Sequence, residues 1–167
     1  KCPGLKVKQG NVINTGNALT GCTQTAQAMV MRYWKWPERP KGNRSYTFSY
    51  YSSSSQISQM TLSVDYDAEA PYAWDKMLPR YEGHDYTEEQ ANAIAHLMYH
   101  CGVANSAEYG LSITNAGISH RGFVDYFSYA SDIVVDSYTL YRDKPDGVND
   151  FRSSLIDEIT QGRPILA

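Results

Sequence analysis

Cysteine is scarce in this chain: 167 residues carry three, Cys2, Cys22 and Cys101. An odd count leaves at least one thiol unpaired within the chain, and so low a density excludes a disulfide framework as the source of stability. Long apolar runs are also missing. No stretch approaches the roughly 20 residues that cross a bilayer as a helix, and no apolar signal segment follows Lys1. Positive charge is not in excess either: 15 Lys and Arg against 18 Asp and Glu give a net charge of -3. That balance excludes an electrostatic grip on nucleic acid or on an anionic membrane surface.

What is present is the composition of a folded globular protein, 42% hydrophobic and 20% charged, long enough for a sizeable core. The chain opens on Lys1 without an initiator methionine and closes on QGRPILA. That last stretch passes through a turn at Gly162–Pro164 and enters an apolar run that stops, so the chain reads as one piece of a longer protein.

Residues 1–19 are polar with short β-type patches and read mostly as loop. A helix is expected from Cys22 to about Trp34, with Ala26, Met29, Val30 and Tyr33 on one apolar face and Pro37 as its stop. YTFSYY reads as a short strand and the serine run after it as a loop, while ISQMTLSVDYD has a mixed pattern. With 14 tyrosines in the chain, those of YTFSYY read as core packing rather than as a binding surface. AWDKMLPRY is a short helix or turn. Thr87 and Gln90 form a capping box ahead of a helix whose stripe is Ala91, Ile94, Ala95, Met98 and Cys101, with Gly102 as terminator. EYGLSITNAGISH reads as a loop, GFVDYFSYA as helical, DIVVDSYTLYR as one or two strands, and VNDFRSSLIDEITQG as an amphipathic helix ended by Gly162.

One cysteine sits where chemistry is favoured. In TGCTQTAQAMVMRYW, Cys22 follows Gly21 and heads a helix-forming run. A cysteine at the first turn of a helix meets unpaired backbone N–H groups and the positive end of the dipole. Both favour the thiolate, which is the nucleophilic form. Gly21 lets a substrate backbone approach closely, and the backbone N–H of Cys22 is placed to stabilise an oxyanion. The four histidines are weaker signals. His84 sits in a glycine turn and His120 flanks the small-residue loop. His96 and His100 share a helix at metal-site spacing, but no third ligand lies nearby in sequence. No metal and no cofactor is called for.

The run TGC followed by TQTAQAMVMRYWKWP resembles the streptopain-type bacterial cysteine peptidases, whose nucleophile segment reads TGC-x-A-T-A-x-A-Q-x-M-K-Y-x-x-Y-P. WDKMLPRYEG is similar to that family's W-x-x-x-L-P-x-Y-x-G, and AIAHLMYHCGVANSAEYG to its A-x-x-x-L-M-x-x-x-G-x-x-x-x-x-x-Y-G. Ser112–Gly117 resembles its loop of small residues ending in Ala-Gly, and the helix before QGRPILA its D-x-L-x-x-x-x-P segment. These motifs occur in the family's order over most of residues 20–167.

The resemblance implies an α+β, papain-like fold, here mainly the helical subdomain with the first strands of the β subdomain. Residues 1–167 would be the N-terminal part of a single catalytic domain. Cys22 is the implied nucleophile of a cysteine endopeptidase. Ile113, Thr114 and Asn115 are the implied substrate wall, facing the residue second upstream of the scissile bond. The general-base histidine belongs to a Gly-Gly-His-Ala segment absent from this chain, to be supplied by a C-terminal fragment or second chain, and ILA would begin the strand leading to it. Protein or peptide substrates, a propeptide, and a secreted or cell-surface bacterial setting are further implications. The pattern is not followed throughout. Thr23 and Gln24 replace small apolar residues after the cysteine. Gly16 stands where papain-like enzymes carry an oxyanion-hole glutamine, which leaves Asn17, one residue away, as the candidate second donor beside the Cys22 N–H. Two other readings of the same residues are a relative that keeps the fold without peptidase activity, and a cysteine acyltransferase or amidase.

Overall fold

The computed structural model describes residues 2–9, 11–53, 56–133 and 141–165. Helix α1 spans Cys22–Trp34 and is closed by Lys35 in the left-handed conformation; the Lys35 N–H donates to Arg32 O and the Trp36 N–H to Met31 O, each at 3.2 Å. Its buried residues are Gln24, Gln27, Ala28 and Met31. The expected apolar stripe is turned outward instead, with Met29 65% and Tyr33 58% exposed. The reason lies in the partner helix. Helix α2, Glu88–Ala104, offers polar company in the groove: the Asn105 side chain at its end donates to Gln27 Oε1, while Cys101 Sγ lies 3.6 Å from Met31 Sδ.

The start of α2 is as the sequence predicts. Gln90 N–H donates to Thr87 Oγ1 at 3.2 Å and Thr87 N–H to Gln90 Oε1 at 2.8 Å, a reciprocal cap. Its end is not: the helix runs through Gly102 to Ala104. A Cβ at Gly102 would sit 2.0 Å from the Tyr109 hydroxyl oxygen, and Tyr109 is itself fully buried. Gly102 therefore admits the tyrosine ring rather than ending the helix.

Residues 1–19 were expected mostly as loop; the structure makes a hairpin of them. Strand β1 (Gly4–Gln9) pairs antiparallel with β2 (Val12–Asn17), Gly4 opposite Asn17. All six residues of β2 are exposed, so it carries no inward/outward alternation for a sequence pattern to reveal. Leu5 anchors the hairpin in the core. A second antiparallel pair, β3 (Asn43–Tyr51) with β4 (Ile57–Asp65), sets Tyr46 opposite Leu62 and Phe48 opposite Met60. Its outer face is polar, with Thr47 and Thr61 hydroxyls 2.7 Å apart. Tyr46 and Tyr50 pack against the core as expected, and Tyr51 stays exposed.

Two buried clusters result. The larger joins α1 and α2 through Ala28, Met31, Leu97 and Cys101 to Tyr66, Tyr72, Phe123 and Phe127. The smaller gathers Leu5, Ala18, Phe48, Ala107 and Tyr109 beneath the two hairpins. The GFVDYFSYA segment supplies a π-helical turn, Gly122–Tyr126. Helix α3 covers Gly147–Thr160, with Gly162 beyond its end at φ 70°. The expected strands of DIVVDSYTLYR fall largely on 134–140, and the last two residues of ILA on 166–167, outside the described residues. Among the described residues no helix is long and apolar enough to cross a membrane.

Candidate active site

Gly21 is the N-cap of α1 and lies at φ 93°, in the region that favours glycine. A Cβ there would meet Gln24 Oε1 at 2.5 Å and Thr114 Cγ2 at 3.2 Å. The sharp entry turn puts Cys22 on the first turn of the helix with its side chain exposed. No acidic residue occupies that first turn, so nothing there opposes a negative charge at the helix N-terminus. Thr25 donates its hydroxyl to Gly21 O at 2.9 Å, tying the turn down from within the helix.

Cys22 opens into a cleft of about 600 Å³. One wall is Leu19, Thr20, Gly21, Thr25, Ala26 and Met29; the other is Ser112, Ile113 and Thr114. Ala26 and Met29 lie four and seven residues after Cys22, on its own helix face. The stripe that the sequence offers as core is thus, in part, the floor of the site. Three hydrogen bonds hold the opposite wall in place. Leu19 N–H donates to Gly110 O at 3.0 Å, the Thr114 hydroxyl donates to Leu19 O at 2.7 Å, and the Thr23 hydroxyl donates to Ala116 O at 2.8 Å. The departure from a small apolar residue at Thr23 therefore has a use: it staples the loop to the helix that carries the thiol.

The expected site residues separate. Ile113 and Thr114 line the cleft with Cys22, Ile113 exposed and Thr114 buried. Asn115 is not among the lining residues; its backbone pairs with that of Glu108, at 3.1 and 2.8 Å. Asn17 lies exposed at the end of β2, outside the lining residues. The other two thiols differ from Cys22. Cys2 is half-buried with Sγ 3.6 Å from Thr20 Oγ1. Cys101 is buried, and burial pushes its thiol far above the ordinary range. None of the four histidines is among the residues lining the cleft. His84 and His120 are exposed, and His96 Nε2 lies 3.1 Å from Glu69. His100 is held down to about 3 by burial first and by His96 second, so it is a neutral imidazole.

The likeness to known proteins extends over almost the whole chain. Streptopain from Streptococcus pyogenes is 28% identical over 163 residues, an alignment covering 96% of this chain and 39% of that protein. The chain thus spans well under half the length of the curated relatives it matches. A prointerpain A fragment from Prevotella intermedia superposes with a TM-score of 0.71 at 30% identity, over 94% of this chain and 46% of that one. The active wild-type interpain A cysteine protease of the same organism gives 0.67 at 30% identity, over 89% and 57%. The mixed helix-and-sheet architecture is accordingly papain-like. Residues 5–167 match the Peptidase C10 family, and this chain belongs to that family.

Proposed function

We propose that the protein is a cysteine endopeptidase in which Cys22 attacks the carbonyl carbon of a peptide bond. The observation that carries this reading is the exposed Cys22 thiol at the N-terminus of α1, in a cleft walled by Ile113 and Thr114. The sulfur forms a tetrahedral adduct whose oxygen anion meets the Cys22 backbone N–H; Asn17, outside the cleft lining, can serve as second donor only once its loop rearranges. Collapse expels the amine and leaves a thioester, which water hydrolyses. An amide nitrogen departs only when protonated. The proton comes from a histidine outside this chain, carried by a C-terminal region or second chain. Support for that assignment is the absence of any of the four histidines from the cleft lining. Further support is the exposure of the apolar side chains Met29, Tyr33 and Trp34 on α1, the helix that carries the nucleophile. Ile113, Thr114 and Asn115 form the substrate loop, with Ile113 and Thr114 facing the bound peptide. The enzyme is secreted or held at a bacterial cell surface and is made with a propeptide, a reading supported by its likeness to a prointerpain.

The test is hydrolysis of denatured casein by the intact protein, with iodoacetamide mapping at neutral pH. The expected result is loss of hydrolysis in Cys22→Ala and alkylation of Cys22, with Cys101 protected because its buried thiol is not ionised. Casein hydrolysis that survives Cys22→Ala overturns the proposal. Alkylation of Cys22 without hydrolysis of casein, but with turnover of small amides, identifies an amidase instead.

A further inference from the structure

The fold supplies the third ligand that the sequence neighbourhood of His96 and His100 lacks. Glu69 follows a 3-10 turn at Tyr66–Ala68 and brings its carboxylate to the two rings. His96 Nε2 lies 3.1 Å from Glu69 Oε2, and His100 Nε2 lies 3.8 Å from Glu69 Oε1. One ligand atom from each of the three residues lies within 4.8 Å of the others. Ligand atoms held about 2.0 Å from a tetrahedral zinc are separated by about 3.3 Å. The two separations, one to each oxygen of the carboxylate, lie on either side of that value. The second, at 3.8 Å, is too long for a hydrogen bond.

The surroundings are built to hold these groups. The Tyr72 hydroxyl lies 2.8 Å from His100 Nδ1, and both residues are buried. If Nδ1 carries the proton and donates it to Tyr72, Nε2 presents its lone pair toward Glu69, which is the arrangement of a metal-bound histidine with its outer partner. The Tyr66 hydroxyl donates to the His100 carbonyl at 2.8 Å, fixing that turn of α2 against the turn before Glu69. The Glu69 backbone is held on both sides: its N–H donates to Tyr66 O at 3.2 Å, and its carbonyl accepts from Arg39 at 3.2 Å. Glu69 and His96 are partly open to solvent, so an ion has a way in and water can take a fourth position.

We propose that Glu69, His96 and His100 form a binding site for zinc or a similar divalent transition metal, separate from the Cys22 cleft and clamping α2 to the 66–72 segment. Two imidazoles and one carboxylate are a zinc donor set, whereas magnesium and calcium take oxygen.

The site is tested on the intact protein bearing Cys22→Ala, which removes the exposed thiol as a competing ligand. Added zinc should bind at one equivalent by calorimetry and raise Tm by about 3 °C or more. Cobalt(II) in its place should show the visible d–d absorption of a four-coordinate ion. His96→Ala and Glu69→Gln, both at partly exposed positions, should each abolish binding, and Tyr72→Phe should weaken it about tenfold. His84→Ala should leave it unchanged. Absence of stoichiometric binding in the parent protein overturns the proposal, as does binding indifferent to His96→Ala, or an octahedral cobalt spectrum.

Discussion

At the residue scale, the cleft wall shows two neighbours with opposite duties. Ile113 is exposed and lines the cleft, while Thr114 is buried and its hydroxyl bridges two backbones, donating to Leu19 O at 2.7 Å and accepting from Gly110 N–H at 3.3 Å. Size selection in the cleft therefore belongs to Ile113, and the shape of the wall to Thr114. Ile113→Ala should broaden the side chains accepted beside the scissile bond and leave Tm within a degree or two. Thr114→Val keeps the shape and removes both bonds, stranding a carbonyl and an N–H; it should cost about 1–3 kcal/mol. Peptide-library profiling and thermal melts on the intact enzyme check the division. An unchanged profile in Ile113→Ala removes that side chain from the site.

At the scale of the element, α1 serves two surfaces, and this explains where sequence reading reached and where it stopped. The Gly-Cys start, the end near Trp34 and the reciprocal cap of α2 are local events, set by residues within four positions of one another, and each was legible. Which face of α1 is buried was not. An apolar row at Ala26, Met29, Val30 and Tyr33 ordinarily marks a core face, yet here the core takes Gln24 and Gln27. Asn105 at the end of α2 satisfies Gln27 Oε1, while the Gln24 amide has no hydrogen-bond partner among the described residues. The β1–β2 hairpin escaped for a related reason: β2 buries nothing, so its strand character lies in backbone pairing alone. In β4 the inward residues begin with Ser58, and Ile57 points out, which blurs an alternation that Met60, Leu62 and Val64 would otherwise make plain. Glu69 was invisible as a partner of His96 because 27 positions, taken up by a 3-10 turn at Trp74–Lys76, loop and the first turns of α2, separate them in the chain. The entry turn of α1 provides the element's own prediction. Gly21→Ala places a side chain at φ 93° and against Gln24 Oε1, so the turn must open or the helix start must move. Activity should fall roughly tenfold or more, since a misplacement of about 1 Å at a nucleophile costs that much or more, while far-UV circular dichroism stays near that of the parent. Full activity in Gly21→Ala would show that the turn does not position Cys22.

At the scale of the whole molecule, α1 buries Ala28 and Met31 in the larger cluster, while Cys22 at its start opens to solvent. Met29, Tyr33 and Trp34 are exposed on α1, and Val148, Ile156 and Ile159 are exposed on α3. One hydrogen bond links the end of α1 to the turn after α3, Tyr33 Oη donating to Gly162 O at 2.9 Å. Burying apolar surface is worth about 25 cal/mol per Å², so several large side chains left in water form a face with a strong preference for a partner. In the proposed mechanism the histidine that protonates the leaving amine would approach from the exposed side of Cys22, because α2 packs against the other side of α1. One partner region can then satisfy both needs, covering the apolar face and placing an imidazole beside Cys22. Residues 1–167 expressed by themselves should accordingly self-associate and hydrolyse no casein. Co-expression with the remainder of the protein as a second fragment should restore a soluble complex and activity together. Size-exclusion chromatography with a casein assay on the two preparations makes the comparison. A monodisperse, casein-hydrolysing monomer of 1–167 would show that the base lies within this chain and that the face needs no cover.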